Sequence, residues 1–152
     1  MGQTAAMVGV GALGFAQYQQ QGAAGRYNQA VQNRNAQIAE QESAQIEKQN
    51  EFDIARFDQQ FTKLQGQTQT AILKSGTTLE GSGLRVMRYN VEQAEIQKNI
   101  MTYNSKVAQS QKLEEANFAR IQGTMARQQA KLAQIKTVSD TGTSLLKMGG
   151  YI

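Results

Sequence analysis

The side chains able to do chemistry in this 152-residue chain are carboxylates, lysines, arginines and hydroxyls. Histidine and cysteine are absent. That removes the commonest general base and transition-metal ligand, the thiol nucleophile, the cysteine zinc site and any disulfide. Glu40, Glu42, Glu47, Glu51, Asp53 and Asp58 share one stretch with Lys48 and Arg56. On a helix such a series makes a solvated, salt-bridged face, and acid pairs are too common on helices to count as a site. The chain reads as a non-enzyme, with no catalytic, cofactor-binding or metal-binding residue to assign. Gly9-Val10-Gly11-Ala12-Leu13-Gly14 matches GxGxxG. The dinucleotide fingerprint needs a preceding strand and a βαβ unit, and eight residues leave no room for them.

The net charge is +4 and unevenly placed: residues 1–74 hold six basic and six acidic side chains, residues 75–152 ten and six. The second half leans towards an anionic neighbour, nucleic acid or phospholipid, or simply carries a solvated basic face. Its cations, among them Arg85, Arg88, Lys106, Arg120, Arg127 and Lys136, are spread out. They lack the clustering of a DNA-reading helix, which leaves weak, salt-sensitive contact with DNA phosphates.

Positioning falls to helices. Proline and tryptophan are absent and glutamine is the commonest residue, so two or three helices sharing a thin seam suit the composition better than a layered fold. The expected class is all-α, a helical hairpin of two long helices completing its burial in a ring of copies. Its bend is residues 75–83, Ser-Gly-Thr-Thr-Leu-Glu-Gly-Ser-Gly, with Ser75, Gly76, Glu80, Gly81, Ser82 and Gly83 as hinge residues. Gly76 serves as the first helix's C-terminal cap, and Thr77 with Glu80, or Ser82 alone, caps the second. The competing reading is a flexible linker between unrelated helices.

Helix one is expected over residues 26–74. Its seam runs through Val31, Ile38, Ile54, Phe57 and Phe61 at threes, fours and their sums, with Gly66 marking a bend or tight crossing. Helix two covers residues 84–137, with a seam of Val91, Ile100, Val107, Phe118, Ile121 and Met125, widened by alanines. The seam is poor between Val107 and Phe118, and Gly123 is a soft spot. Residues 1–25 form a Gly/Ala-rich apolar segment ending in a kink or short linker at Gly22-Ala-Ala-Gly25. It lacks a signal peptide's basic start and cleavage site, and its uncharged run is too short to span a bilayer alone. Ala5, Gly9, Gly11, Gly14 and Phe15 are read as a packing patch or a membrane-active segment. Residues 138–152 hold a cap-rich loop, a short apolar turn and a docking tail.

The small-residue start, the run GAAGRYNQAVQNRNAQIAEQ, the hinge SGTTLEGSG, a second Gln- and Ala-rich helix and the close TGTSLLKMGGYI together resemble the smallest internal virion protein of short-tailed phages (podoviruses), a core or ejection protein. The resemblance implies a structural protein without cofactors, forming a ring inside the capsid near the portal with larger internal core proteins. It implies release ahead of the genome to help form a conduit across the host outer membrane in the cell envelope; any contact with packaged DNA would be non-specific, through its phosphates. The alternative is a generic coiled-coil adaptor or secretion-filament subunit with no membrane step; a nucleic-acid-binding architectural protein is a third reading.

Overall fold

The computed structural model describes residues 2–76 and 81–148 of the chain, which form two helices, α1 (Gly2–Lys74) and α2 (Ser82–Met148). With no proline to remove a backbone donor, nothing forces either helix to break. Glycines inside them cost about 1 kcal/mol each relative to alanine.

Between the helices the backbone reverses hand at two points. Gly76 has φ +73° and Gly81 has φ +74°, a region costly for a residue with a Cβ. The end of α1 is satisfied locally. The Gly76 N–H donates to the Leu73 carbonyl at 3.2 Å and the Ser75 N–H to Ala71 at 3.1 Å. The Ser75 hydroxyl donates to the Ile72 carbonyl at 2.7 Å. A left-handed glycine just beyond the last turn with this 5→2 bond is a helix C-cap. At the start of α2 the Arg85 N–H donates to the Gly81 carbonyl at 3.3 Å. Gly81 therefore stands at the N-cap position, and Ser82, expected as a cap, is already helical. Thr77 and Glu80, the other expected caps, lie outside the described residues.

Neither helix is interrupted within its described residues. α1 runs through Gly22–Gly25 and Gly66, and α2 continues past Thr137 and the Ser139–Thr143 run. Tertiary contact overrides propensity at these points. Gly25 sits against Ala130 of the other helix, and Thr137 donates to the Gln21 side chain at 3.0 Å. The Thr143 and Ser144 hydroxyls donate to the Ser139 and Asp140 carbonyls at 3.0 and 2.8 Å, an arrangement a helix tolerates. Residues 149–152, at the end of the expected docking tail, lie outside the described residues.

The chain divides into two compact units, each an antiparallel pair made from one stretch of α1 and one of α2. In the first, residues 1–39 and 115–152, the buried core is Ala36, Ala39, Ala116 and Ala119. Residue numbers rise along α1 as they fall along α2: Gly14 meets Thr141, Gly22 meets Gln134, and Gly25 meets Ala130. At Gly123 an added Cβ would lie 3.1 Å from Gln32 Cβ and 3.4 Å from the Gln29 carbonyl oxygen. The helices approach closely there because Gly123 has no side chain to hold them apart. In the second unit, residues 40–114, the buried positions are Ser43, Gly83, Ala94 and Ser105. The Ser43 hydroxyl donates to the Gln109 carbonyl at 3.4 Å, and the Gln109 amide donates to Ser105 Oγ at 3.0 Å, so these buried polar groups are partnered. Phe57 and Phe61 stack at the edge of this unit, with ring centroids 6.3 Å apart.

The seam is thus built from small residues, which corrects the expectation for most of the large ones. Val31, Ile38, Val91, Ile100, Val107, Phe118, Ile121 and Met125 are all exposed, and only Ile54, Phe57 and Phe61 are half-buried. The reason is angular. Two residues along a helix is about 200° around it. Tyr103 and Val107 lie two residues either side of buried Ser105, Phe118 two beyond Ala116, and Met125 two beyond Gly123. A stripe of alanine, glycine and serine admits the other helix closely, and the large side chains at the same heights point away from it.

Candidate interaction surfaces

The acidic residues of α1 do not converge. Glu42 pairs with Lys112 at 2.7 Å and Asp58 with Lys98 at 3.0 Å. Both pairs join α1 to α2 within the second unit, where the sequence led us to expect pairing along α1 itself. All four side chains are partly exposed, so each pair is worth at most about 1 kcal/mol. Asp53 accepts from the Gln49 amide at 3.1 Å. Among the described residues no cluster of three or more carboxylates could hold a metal ion.

The GxGxxG glycines lie inside α1 with no strand before them among the described residues, so the fingerprint lacks its structural context. Gly14 is a packing residue against Thr141, whereas Gly9 and Gly11 face open space. Phe15 is exposed and, with Gly14, Tyr18, Val138, Thr141, Gly142 and Leu145, lines an apolar groove of about 380 Å³ in the first unit. The Ala5 side chain lies outside the described residues. No helix is long and apolar enough to cross a membrane among the described residues.

Glutamines supply most of the polar bonds across the first unit. Arg127 donates to the Gln29 side chain at 3.1 Å, and the Gln134 amide donates to the Tyr18 carbonyl at 2.8 Å. The glutamine bias, read in the sequence as a polar surface, is partly a device for bonding two helices whose apolar contact is thin.

Two properties of the surface stand out. The first is its extent. The chain exposes 11434 Å², whereas a monomer of its mass is expected to expose about 7,600 Å². The excess, roughly 3,800 Å², is several times the ~800 Å² per partner of a standard interface. Large apolar side chains contribute to the exposed surface. In the first unit Phe118, Ile121, Met125, Leu132 and Ile135 of α2 stand exposed, and in the second Ile96, Ile100, Tyr103 and Val107. These recur at threes and fours, the spacing of a helix-packing seam.

The second is charge. The first unit holds seven basic and two acidic residues, the second nine and ten. Division by halves of the sequence obscured this, because each half contributes a stretch to both units. Arg26 and Arg34 from α1 join Arg120, Arg127, Lys131, Lys136 and Lys147 from α2 in the basic unit.

No protein-family model, curated protein or solved structure matches the chain.

Proposed function

We propose that the chain is a structural internal virion protein of a short-tailed phage, a core component ejected with the genome. In the capsid it forms a ring near the portal with larger internal proteins; after ejection it helps build a DNA-translocation conduit across the host outer membrane. The observation that carries the reading is the inversion of the packing. The small-residue seam holds each helix pair together while the large apolar side chains face outward. Such a protomer is incomplete alone and buries its outer faces in an assembly.

Three features support the steps. Few large side chains lock the helix pair, so the same helices can repack between a capsid state and a membrane state. The chain has no disulfide to resist passage through a narrow tail. The excess of cations in the first unit suits weak contact with DNA phosphates or anionic lipid. Since no described helix is apolar enough to cross a bilayer singly, the conduit is an assembly of helices turning apolar faces to lipid and polar faces to water.

The test compares purified particles before and after DNA release. The proposal expects the protein in full virions and its loss from emptied ones. Its presence only in the cytosol of infected cells overturns the proposal. Liposome leakage separates it from an adaptor or filament subunit: deleting residues 1–16 abolishes leakage under the proposal, and no leakage by the intact chain favours the adaptor.

A further inference from the structure

The second unit carries an outward face on α2 that is complementary to itself. Ile96, Ile100, Tyr103 and Val107 follow one another at spacings of four, three and four. They are 44%, 46%, 68% and 40% exposed, while Ala94 and Ser105 on the opposite side of the same helix are buried against α1. The face therefore has a coiled-coil repeat and no occupant within the unit. The matching outward face of α1 is unsuited to cover it: Phe52 stands there among exposed Gln45, Lys48, Gln49 and Arg56.

The geometry points to a second copy of this chain as the occupant, docked through the same face in antiparallel orientation. Place a two-fold axis between Ile100 and Tyr103. Ile100 then packs on the partner's Tyr103 and Ile96 on the partner's Val107, and each contact occurs twice. The register also matches charge. Glu95 and Lys106 lie on one flank of the face and come opposite each other's counterparts, and Arg88 comes opposite the partner's Glu114. A parallel pair would place these residues of the two copies on opposite flanks, and both contacts would be lost. The near-balanced charge of this unit, nine basic and ten acidic residues, permits self-docking. The first unit's apolar stripe sits among seven cations and two acids, and two copies of it would repel. The pairing does not depend on the virion reading. It is a closed interface, so a ring would need a further face.

The full-length chain is measured by sedimentation equilibrium and by helical circular dichroism. The inference expects a dimer at micromolar concentration. Ile100→Glu should keep full helicity and weaken the dimer by roughly 100-fold, because two symmetry-related contacts are lost. Glu95→Lys and Lys106→Glu should each weaken it by roughly tenfold, and the double exchange should restore it. Orientation is read from spin labels on single cysteines, for which the chain offers no background. In the antiparallel register the axial offset between the two labels is about 8 Å at Asn99→Cys and about 28 Å at Gln111→Cys. A wild-type monomer, a dimer unchanged by Ile100→Glu, failure of the double exchange to restore association, or equally short distances at both labels would each overturn the inference.

Discussion

Alanine substituted at Gly66 should stabilise the chain, and at Gly25 it should not. Both glycines lie inside α1, so each gains about 1 kcal/mol of helix propensity on becoming alanine. At Gly66 the new methyl enters open space, with nothing within 4 Å, and the gain stands. At Gly25 the methyl would overlap the Ala130 Cβ, with Arg127 Cα at 3.7 Å behind it. A Cβ is fixed to its backbone and has no rotamer to escape into, so α1 and α2 must separate locally. Overpacking of this kind costs about 1–3 kcal/mol. The net change is from near zero to about 2 kcal/mol of destabilisation, placing the two variants about 1–3 kcal/mol apart. Gly22 and Gly14 provide a gradation, because the atoms they meet belong to the Gln134 and Thr141 side chains, which can rotate away at smaller cost. The assay is urea unfolding followed by helical circular dichroism, repeated at several protein concentrations so that association is separated from folding. If Gly25→Ala stabilises the chain as much as Gly66→Ala, the close approach of the helices at this level is refuted.

Three further outcomes follow from the same geometry. Gly76→Ala, at φ +73°, should cost about 1–2 kcal/mol in the same unfolding assay; an unchanged midpoint would contradict the left-handed cap. Glu42→Gln should cost less than about 1 kcal/mol and lose even that in high salt, because its partner Lys112 is partly exposed. Lys131→Gln with Lys136→Gln, in the basic unit, should reduce the salt dependence of duplex DNA binding by about 1.8 in log–log slope. An unaltered slope would place the phosphate contacts elsewhere.

The two helices were legible in the sequence because proline is absent and apolar residues recur at threes and fours on both sides of a glycine-rich interruption. The side that faces inward was not. Hydrophobic periodicity weights the bulky residues, so Ile100, Val107, Phe118 and Met125 looked like the seam. The better signal was spacing of the small ones. Gly14, Gly25 and Ala36 on α1, and Gly83, Ala94, Ser105 and Ala116 on α2, recur every eleven residues. Eleven residues are three turns at about 3.67 residues per turn, so such positions stay on one face of the helix. Helix ends were misjudged for a related reason. The glycines at 22 and 25 and the Ser139–Thr143 run carry weak local propensity, but contacts between the helices hold them in register. Gly14, read in the sequence as part of a membrane-active or oligomer-packing segment, lies against Thr141 of the same chain. The concentration of charge in one unit went unseen, since that unit is assembled from the two ends of the sequence.

The central claim is that small residues face inward and large ones outward at the same height of the helix pair. Paired cysteines test it directly, because the chain has none of its own. Ala36 and Ala119 lie together in the buried cluster, whereas Ile38 and Phe118, at the same level, are exposed. Under mild oxidation at low protein concentration, the Ala36→Cys/Ala119→Cys chain should close an internal disulfide, and the Ile38→Cys/Phe118→Cys chain should not. Rapid internal closure of the second pair with none of the first would contradict the account.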